Sequence, residues 1–246
     1  TRGARKEFPS VAVIVAETSQ VTIYDGDDPS MPMWMVFNGL GTGISDANNA
    51  LLISSSFPAT SVSMLNGSLC VTGYYIHRLT FVSENQVLWG ADGFKRTVSI
   101  SDRNTAVNWR ADGNLGSIKA PYCNDVAMTV LPNAPIDADT GLPVPTIAVA
   151  TNSGVSVITD SGAVYDSDYT ETIRDVAFDG DNTLFYMRNS SSYLLLMAEP
   201  AGYTSADGFG ASIASSGVGG QEFDLISVRS QTTMAFSKGF VASGGV

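Results

Sequence analysis

The chain has 246 residues, with 24 acids against 13 bases and a formal net charge of −11. A nucleic-acid or anionic-membrane partner needs the opposite sign of surface, so both are excluded. Hydrophobic residues make up 44% and charged residues 15%, which excludes a disordered chain and permits a substantial core.

The first patterned stretch is "VAVIVAETSQVTIYDGDDP" at 11–29. It reads as strand, tight turn, strand and acidic turn. "GLGTG" at 39–43 has the glycines of a phosphate loop but lacks the strand-to-helix context and the lysine, so it reads as a turn. The best candidates for a helical turn are "ISDANNALL" at 44–52 and the 197–206 region, and neither is long. A strand start "TSVSM" at 60–64 is followed by "SLCVTGYYIHRLTFV". Residues 90–122 fit the repeat poorly and read as an insertion or as the outer half of a sheet. "NDVAM" at 124–128 opens the next unit and "RDVAF" at 174–178 another, with "FDLISV" at 223–228 as the last. The anchors Val62, Val126, Val176 and Ile226 stand 64, 50 and 50 residues apart.

The stretch "TIAVATNSGVSVITDSGAVYD" at 146–166 repeats the texture of the opening strands, Val149–Ile158 lying over Val15–Tyr24. A period of 40–50 residues carrying several strands predicts a β-propeller, because one small twisted sheet cannot cover both its faces alone. We therefore expect an all-β fold: one propeller domain over 1–246, of about five or more blades, with a β-sandwich as runner-up. A chain opening at Thr1 rather than Met, with an N-terminal repeat (11–37) that lacks a first strand, suggests part of a longer chain or a larger ring. Small and β-branched residues (Val126, Ala127, Val149, Ala150, Val176, Ala177) are expected on inner strands and aromatics (Trp34, Trp89, Tyr165) further out.

Candidate chemistry is sparse. Asp160, Gly162 and Tyr165 resemble the Asp box of sialidase-type propellers, a fold-marking turn, although Ile158 stands where that motif has Ser. A sialidase needs clustered arginines and a Tyr–Glu pair; the nine arginines occupy no equivalent inner-strand positions. The single histidine, His77, lies in an alternating strand and reads as a strand residue rather than a relay base. Cys70 and Cys123 read as buried free thiols. Calcium needs six to eight oxygen ligands. The acidic groups Asp25/Asp27/Asp28 and Asp179/Asp181 are candidates, and "DADTG" makes Asp137 and Asp139 the best calcium-binding pair. Such residues more often bond their own turn backbone. No other cofactor is expected. Glycan recognition would draw on Trp34, Trp89, Trp109, Tyr74, Tyr75 or Tyr203.

The run at 11–37, "TSVSMLNGSLCVTG", "DVAMTVLPNAPIDADTGLPVPTIAVATNSGVSVIT" and "IRDVAFDGDNTLFYM" together resemble a family of bacteriophage virion proteins, the tail-associated or fibre-like proteins of marine phages. The resemblance covers most of the chain and is one of texture, so it carries over no active-site residue. It implies a non-enzymatic structural or host-attachment role in a phage tail, synthesis in the host cytoplasm, homo-oligomeric assembly and other tail proteins as partners. A host-surface glycan or receptor is the implied target. The alternative is a carbohydrate-active propeller, lectin or glycosidase.

Overall fold

The computed structural model describes residues 8–39, 58–97, 99–105, 110–167, 170–188, 194–198, 212–213, 234–237 and 240–243. Their strands form five antiparallel sheets, each a meander in chain order. The first holds β1 (Ala12–Ala16), β2 (Gln20–Asp25) and β3 (Met33–Asn38). The second holds β4 (Ser61–Leu65), β5 (Ser68–Thr72), β6 (Ile76–Thr80), β7 (Asn85–Trp89), β8 (Gly93–Thr97) and β9 (Arg110–Ala111). The third holds β10 (Cys123–Thr129), β11 (Thr146–Thr151), β12 (Gly154–Ile158) and β13 (Val164–Asp166). The fourth holds β14 (Ile173–Phe178), β15 (Leu184–Arg188), β16 (Leu194–Ala198) and β17 (Ser212–Ile213), and the fifth β18 (Met234–Ser237) with β19 (Phe240–Ser243). Leading strands touch in succession, β1 against β4, β4 against β10, β10 against β14 and β14 against β18. The protein is all-β, with its sheets in a propeller-like arrangement.

Local chemistry sets the hairpins. Leu65 pairs with Ser68 across a two-residue turn, Asn66-Gly67. Both turn residues have positive φ, 49° and 74°, as the turn that matches the twist of the flanking strands requires. The helical candidate at 44–52 lies outside the described residues, and so do most of 197–206, "GLGTG" and the anchor Ile226. Among the described residues the helical element is one short 3₁₀ turn, Ile100–Asp102. The 90–122 stretch supplies the outer strands β8 and β9 of the second sheet.

The core lies between sheets as three layers. Val21, Ile23, Trp34, Met35 and Phe37 of the first sheet meet Leu69, Val71 and Leu79 of the second. Cys70, Ile76, Val87 and Trp89, on the second sheet's other face, meet Cys123, Val126, Ile147 and Val149 of the third. Ala148, Ala150, Val155 and Val157 then meet Ile173, Val176, Leu184 and Tyr186 of the fourth. Alternate residues of β11 thus serve opposite layers, so Ile147–Ala150 form an unbroken apolar run rather than alternating with polar residues. The expectation that the N-terminal repeat lacks its first strand is not met. Ala12, Ile14 and Ala16 of β1 pack in the same layer as Val62 and Met64 of β4, so β1 occupies the leading position, and among the described residues the sheet holds three strands.

Leading strands are also tied by polar side chains, twice in the same way. Thr60 Oγ1 donates to the Cys123 carbonyl at 2.7 Å; one junction on, Asn124 Nδ2 donates to the Ile173 carbonyl at 2.6 Å. The next residue repeats the reach: the Ser61 side chain hydrogen-bonds the Asp125 carboxylate, and Asp125 Oδ2 accepts the Val176 N–H at 3.0 Å. Register shifts between Cys123 and Asp125 and between Ile173 and Asp175 mark bulges, which re-aim side chains out of the ladder. Replacing Asn124 with Ala removes the Ile173 carbonyl's donor and should lower unfolding free energy by about 1 kcal/mol. In urea titration the same change at Asn114, in an exposed turn, should move it by less than about 0.5 kcal/mol.

Candidate functional site

The edge where β4, β10 and β14 begin gathers the chemistry. Loops cross it from sheet to sheet through hydrogen bonds: Tyr122 N–H to the Tyr74 carbonyl at 2.8 Å, Cys123 N–H to the Gly73 carbonyl at 2.8 Å and Asn152 N–H to the Tyr122 carbonyl at 3.1 Å. Thr172 Oγ1 continues the line to the Asn152 carbonyl at 3.1 Å. On this frame stand three tyrosines. The Tyr74 ring centroid lies 4.7 Å from Tyr75 and 4.5 Å from Tyr122, with interplanar angles of 73° and 74°. Tyr74 and Tyr75 are half-buried and Tyr122 is 49% exposed. Burial, then Tyr74 and Asp92, push the Tyr75 phenol up from its ordinary value, so it keeps its proton as a hydrogen-bond donor.

Tyr75 is seated on Gly90, where an added Cβ would come within 2.4 Å of the ring. Tyr122 has φ 63°, a left-handed conformation that is an outlier for a bulky side chain.

Two carboxylates, Asp125 and Asp175, stand at equivalent positions near the start of the consecutive leading strands β10 and β14. Burial pushes Asp125 up, against the pull of its bonds to Ser61, Val176 and Val126. Asp175 is pushed up to about 6, first by burial and then by the charge of Asp125, with Arg174 opposing. A carboxyl that holds a proton near neutrality has the property of a general acid. Asp125 is nonetheless engaged in tying the third sheet to the fourth.

The residues singled out from sequence fall elsewhere. Asp137 and Asp139 share the β10–β11 loop, where Asp137 Oδ1 accepts the N–H groups of Asp139 at 3.0 Å and Thr140 at 2.8 Å. The Thr140 N–H is the main cause holding Asp137 below the ordinary carboxylate range; the Arg78 charge adds a smaller pull. Asp25 accepts from Asp27 N–H, Asp28 from Ser30, and Asp179 from Asp181 and Thr183. Asp25, Asp28, Asp137 and Asp179 therefore cap their own turns, whereas Asp27 accepts the N–H groups of Ser10 at 2.7 Å and Val11 at 3.1 Å. Among the described residues no group of three or more His, Cys, Asp or Glu is placed to hold a metal ion.

His77 is half-buried in β6, between Val71 and Leu88 across the ladder. The Asp160 turn is closed by Gly162 N–H to the Thr159 carbonyl at 2.9 Å, with Tyr165 packed against the neighbouring layer. Trp34 and Trp89 are core residues. Cys70 and Cys123 are free and buried, both in the layer between the second and third sheets, and burial pushes each thiol to about 12. Trp109 and Tyr203 lie outside the described residues. Sequence reasoning missed Tyr122; its signal was position, immediately before the strand start at Cys123.

No family model and no curated protein matches the chain. Solved structures similar to it include YCF48 bound to D1 peptide, with 11% identity and a TM-score of 0.34 over 80% of this chain and 66% of that one. Another is a protein of unknown function from Bacteroides caccae, with 9% identity and a TM-score of 0.31 over 78% and 73%. A third is the extracellular domain of the putative hybrid two component system BT3049 from B. thetaiotaomicron, with 12% identity and a TM-score of 0.32 over 75% and 25%. The aligned part of this chain thus spans less than two thirds of the first structure's length and a quarter of the third's.

Asp175 gives the edge a pH signature. Its carboxyl ionises at about 6 in the folded chain against an ordinary 3.8, so the folded state prefers the proton. The stability this provides is full below the ordinary value and is lost as pH rises through about 6. Asp175→Asn should flatten that stretch of the stability–pH curve. It should also raise stability at pH 8 by about 1 kcal/mol, allowing for the group's partial exposure. Chemical unfolding at a series of pH values measures both.

Proposed function

We propose that this chain is a non-enzymatic scaffold and attachment module of a bacteriophage tail, working as a homo-oligomer among other tail proteins. The observation that carries the assembly role is the first sheet, which carries apolar residues on both faces. Ala12, Ile14 and Ala16 pack inward, while Val11, Val13, Val15 and Met33 stay 56%, 39%, 38% and 47% exposed. Val13 pairs with Tyr24, and Tyr24 with Met33, so these residues make one patch across the sheet. An apolar patch of this kind marks a surface meant to be covered, and a second copy of the chain covers it in this reading.

The paired inter-sheet bonds support a rigid frame, since they engage Thr60, Ser61, Asn124 and Asp125 in structure. The phage-tail assignment rests on the resemblance of the sequence. A second reading, a carbohydrate-binding propeller outside any virion, is favoured by the tyrosine edge.

Sedimentation velocity at micromolar concentration should show a homo-oligomer, and Val13→Asp with Val15→Asp should shift it to monomer. Gold-labelled antibody should decorate the tails of purified particles. A wild-type monomer at all concentrations, or particles without the label, overturns the reading.

A further inference from the structure

We infer that Tyr74, Tyr75 and Tyr122 form a binding platform for neutral, hydroxyl-rich sugar units of a polysaccharide. The inference deepens the attachment reading by naming the ligand class that an attachment module would meet at this edge.

The first argument is the backbone of Tyr122. A tyrosine at φ 63° is strained, and such strain persists only where the surroundings over-determine it. Here backbone hydrogen bonds to both neighbouring loops hold it. Its ring packs edge to face on Tyr74, yet the residue is 49% exposed. A glycine or asparagine would take the same turn more easily. What tyrosine adds at this position is an aromatic ring on a residue about half exposed.

The second argument is shape. Rings met edge to face at 73° and 74° make steps rather than a flat slab. Apolar C–H faces of a sugar ring fit against aromatic faces, and phenol groups at the rim answer its hydroxyls. The Tyr75 phenol keeps its proton and can donate, and the exposed Asp92 carboxylate beside it can accept.

The third argument is charge. The exposed Asp92 acts on Tyr75, and the chain carries −11. That field disfavours sulfated or sialylated sugars and leaves neutral ones. An extended peptide adding to the edge is disfavoured for another reason. The Tyr122 and Cys123 N–H groups and the Gly73, Tyr74 and Tyr122 carbonyls already bond within the protein, leaving little ladder for a peptide strand to join.

The test uses the whole chain on a printed array of neutral oligosaccharides, their sulfated counterparts and lysine-rich peptides, followed by calorimetry on the best neutral glycan. Wild type should retain neutral glycans in preference to sulfated ones. Tyr122→Gly is the informative variant, because glycine relaxes the left-handed backbone. Its melting temperature should stay level or rise while glycan affinity falls roughly tenfold. Gly90→Ala, which pushes on Tyr75, should also weaken binding, whereas Val82→Ser, an exposed change on another loop, should not.

Unchanged affinity in Tyr122→Gly overturns the inference. So does preference for sulfated glycans, retention of the peptides alone, or retention of nothing. None of these results bears on tail labelling or oligomeric state, so the attachment reading stands or falls separately.

Discussion

The second and third sheets of this protein are packed by apolar residues on both faces, and that constraint organises the rest. A sheet with one wet face can end a layer; one with none must be sandwiched. β11 states the case most plainly. Ile147 and Val149 go to one neighbour, Ala148 and Ala150 to the other, and all six of its residues are buried. Burying a side chain such as Ile147 is worth about 2 kcal/mol, so leaving either face open would cost much of a domain's net stability. Repetition of sheets follows from this need.

Hydrophobic layers hold sheets together but fix their relative slide poorly, because apolar contact has little directionality. The polar ties at the leading strands supply direction. Thr60 and Asn124 reach for the carbonyl at the same place in the next sheet, and Ser61 and Asp125 repeat the step one residue later. The arrangement places ionisable groups in a half-buried seam, which is why the Asp175 carboxyl departs from ordinary behaviour. It also fixes the starting points of three strands, and the loops before those strands inherit that rigidity. The tyrosine edge is therefore held by hydrogen bonds within the protein.

The fold class was legible from spacing, since turn residues and β-branched runs act locally. The acidic turns were equally legible: Asp137 and Asp179 bond their own backbone as short side chains in turns do. The internal overlay of Val149–Ile158 on Val15–Tyr24 was legible only as texture. Val15 lies in the leading strand β1, but Val149 lies in β11, the second strand of its sheet, so the overlay pairs hairpins one strand out of step. Hairpins of buried strands look alike wherever they sit, because burial on both faces erases the alternation that would tell them apart.

By itself, the sequence determined that this chain builds short antiparallel strands in repeated units, with acids in excess over bases. Those outcomes depend on residues near one another along the chain. Tertiary structure alone decided which strand leads each sheet, that Asp125 meets Val176 across 51 positions, and that Tyr122 comes to rest against Tyr74. Each depends on how far one sheet slides and turns against the next. That is settled by the packing of whole faces, to which no short stretch of sequence holds the key.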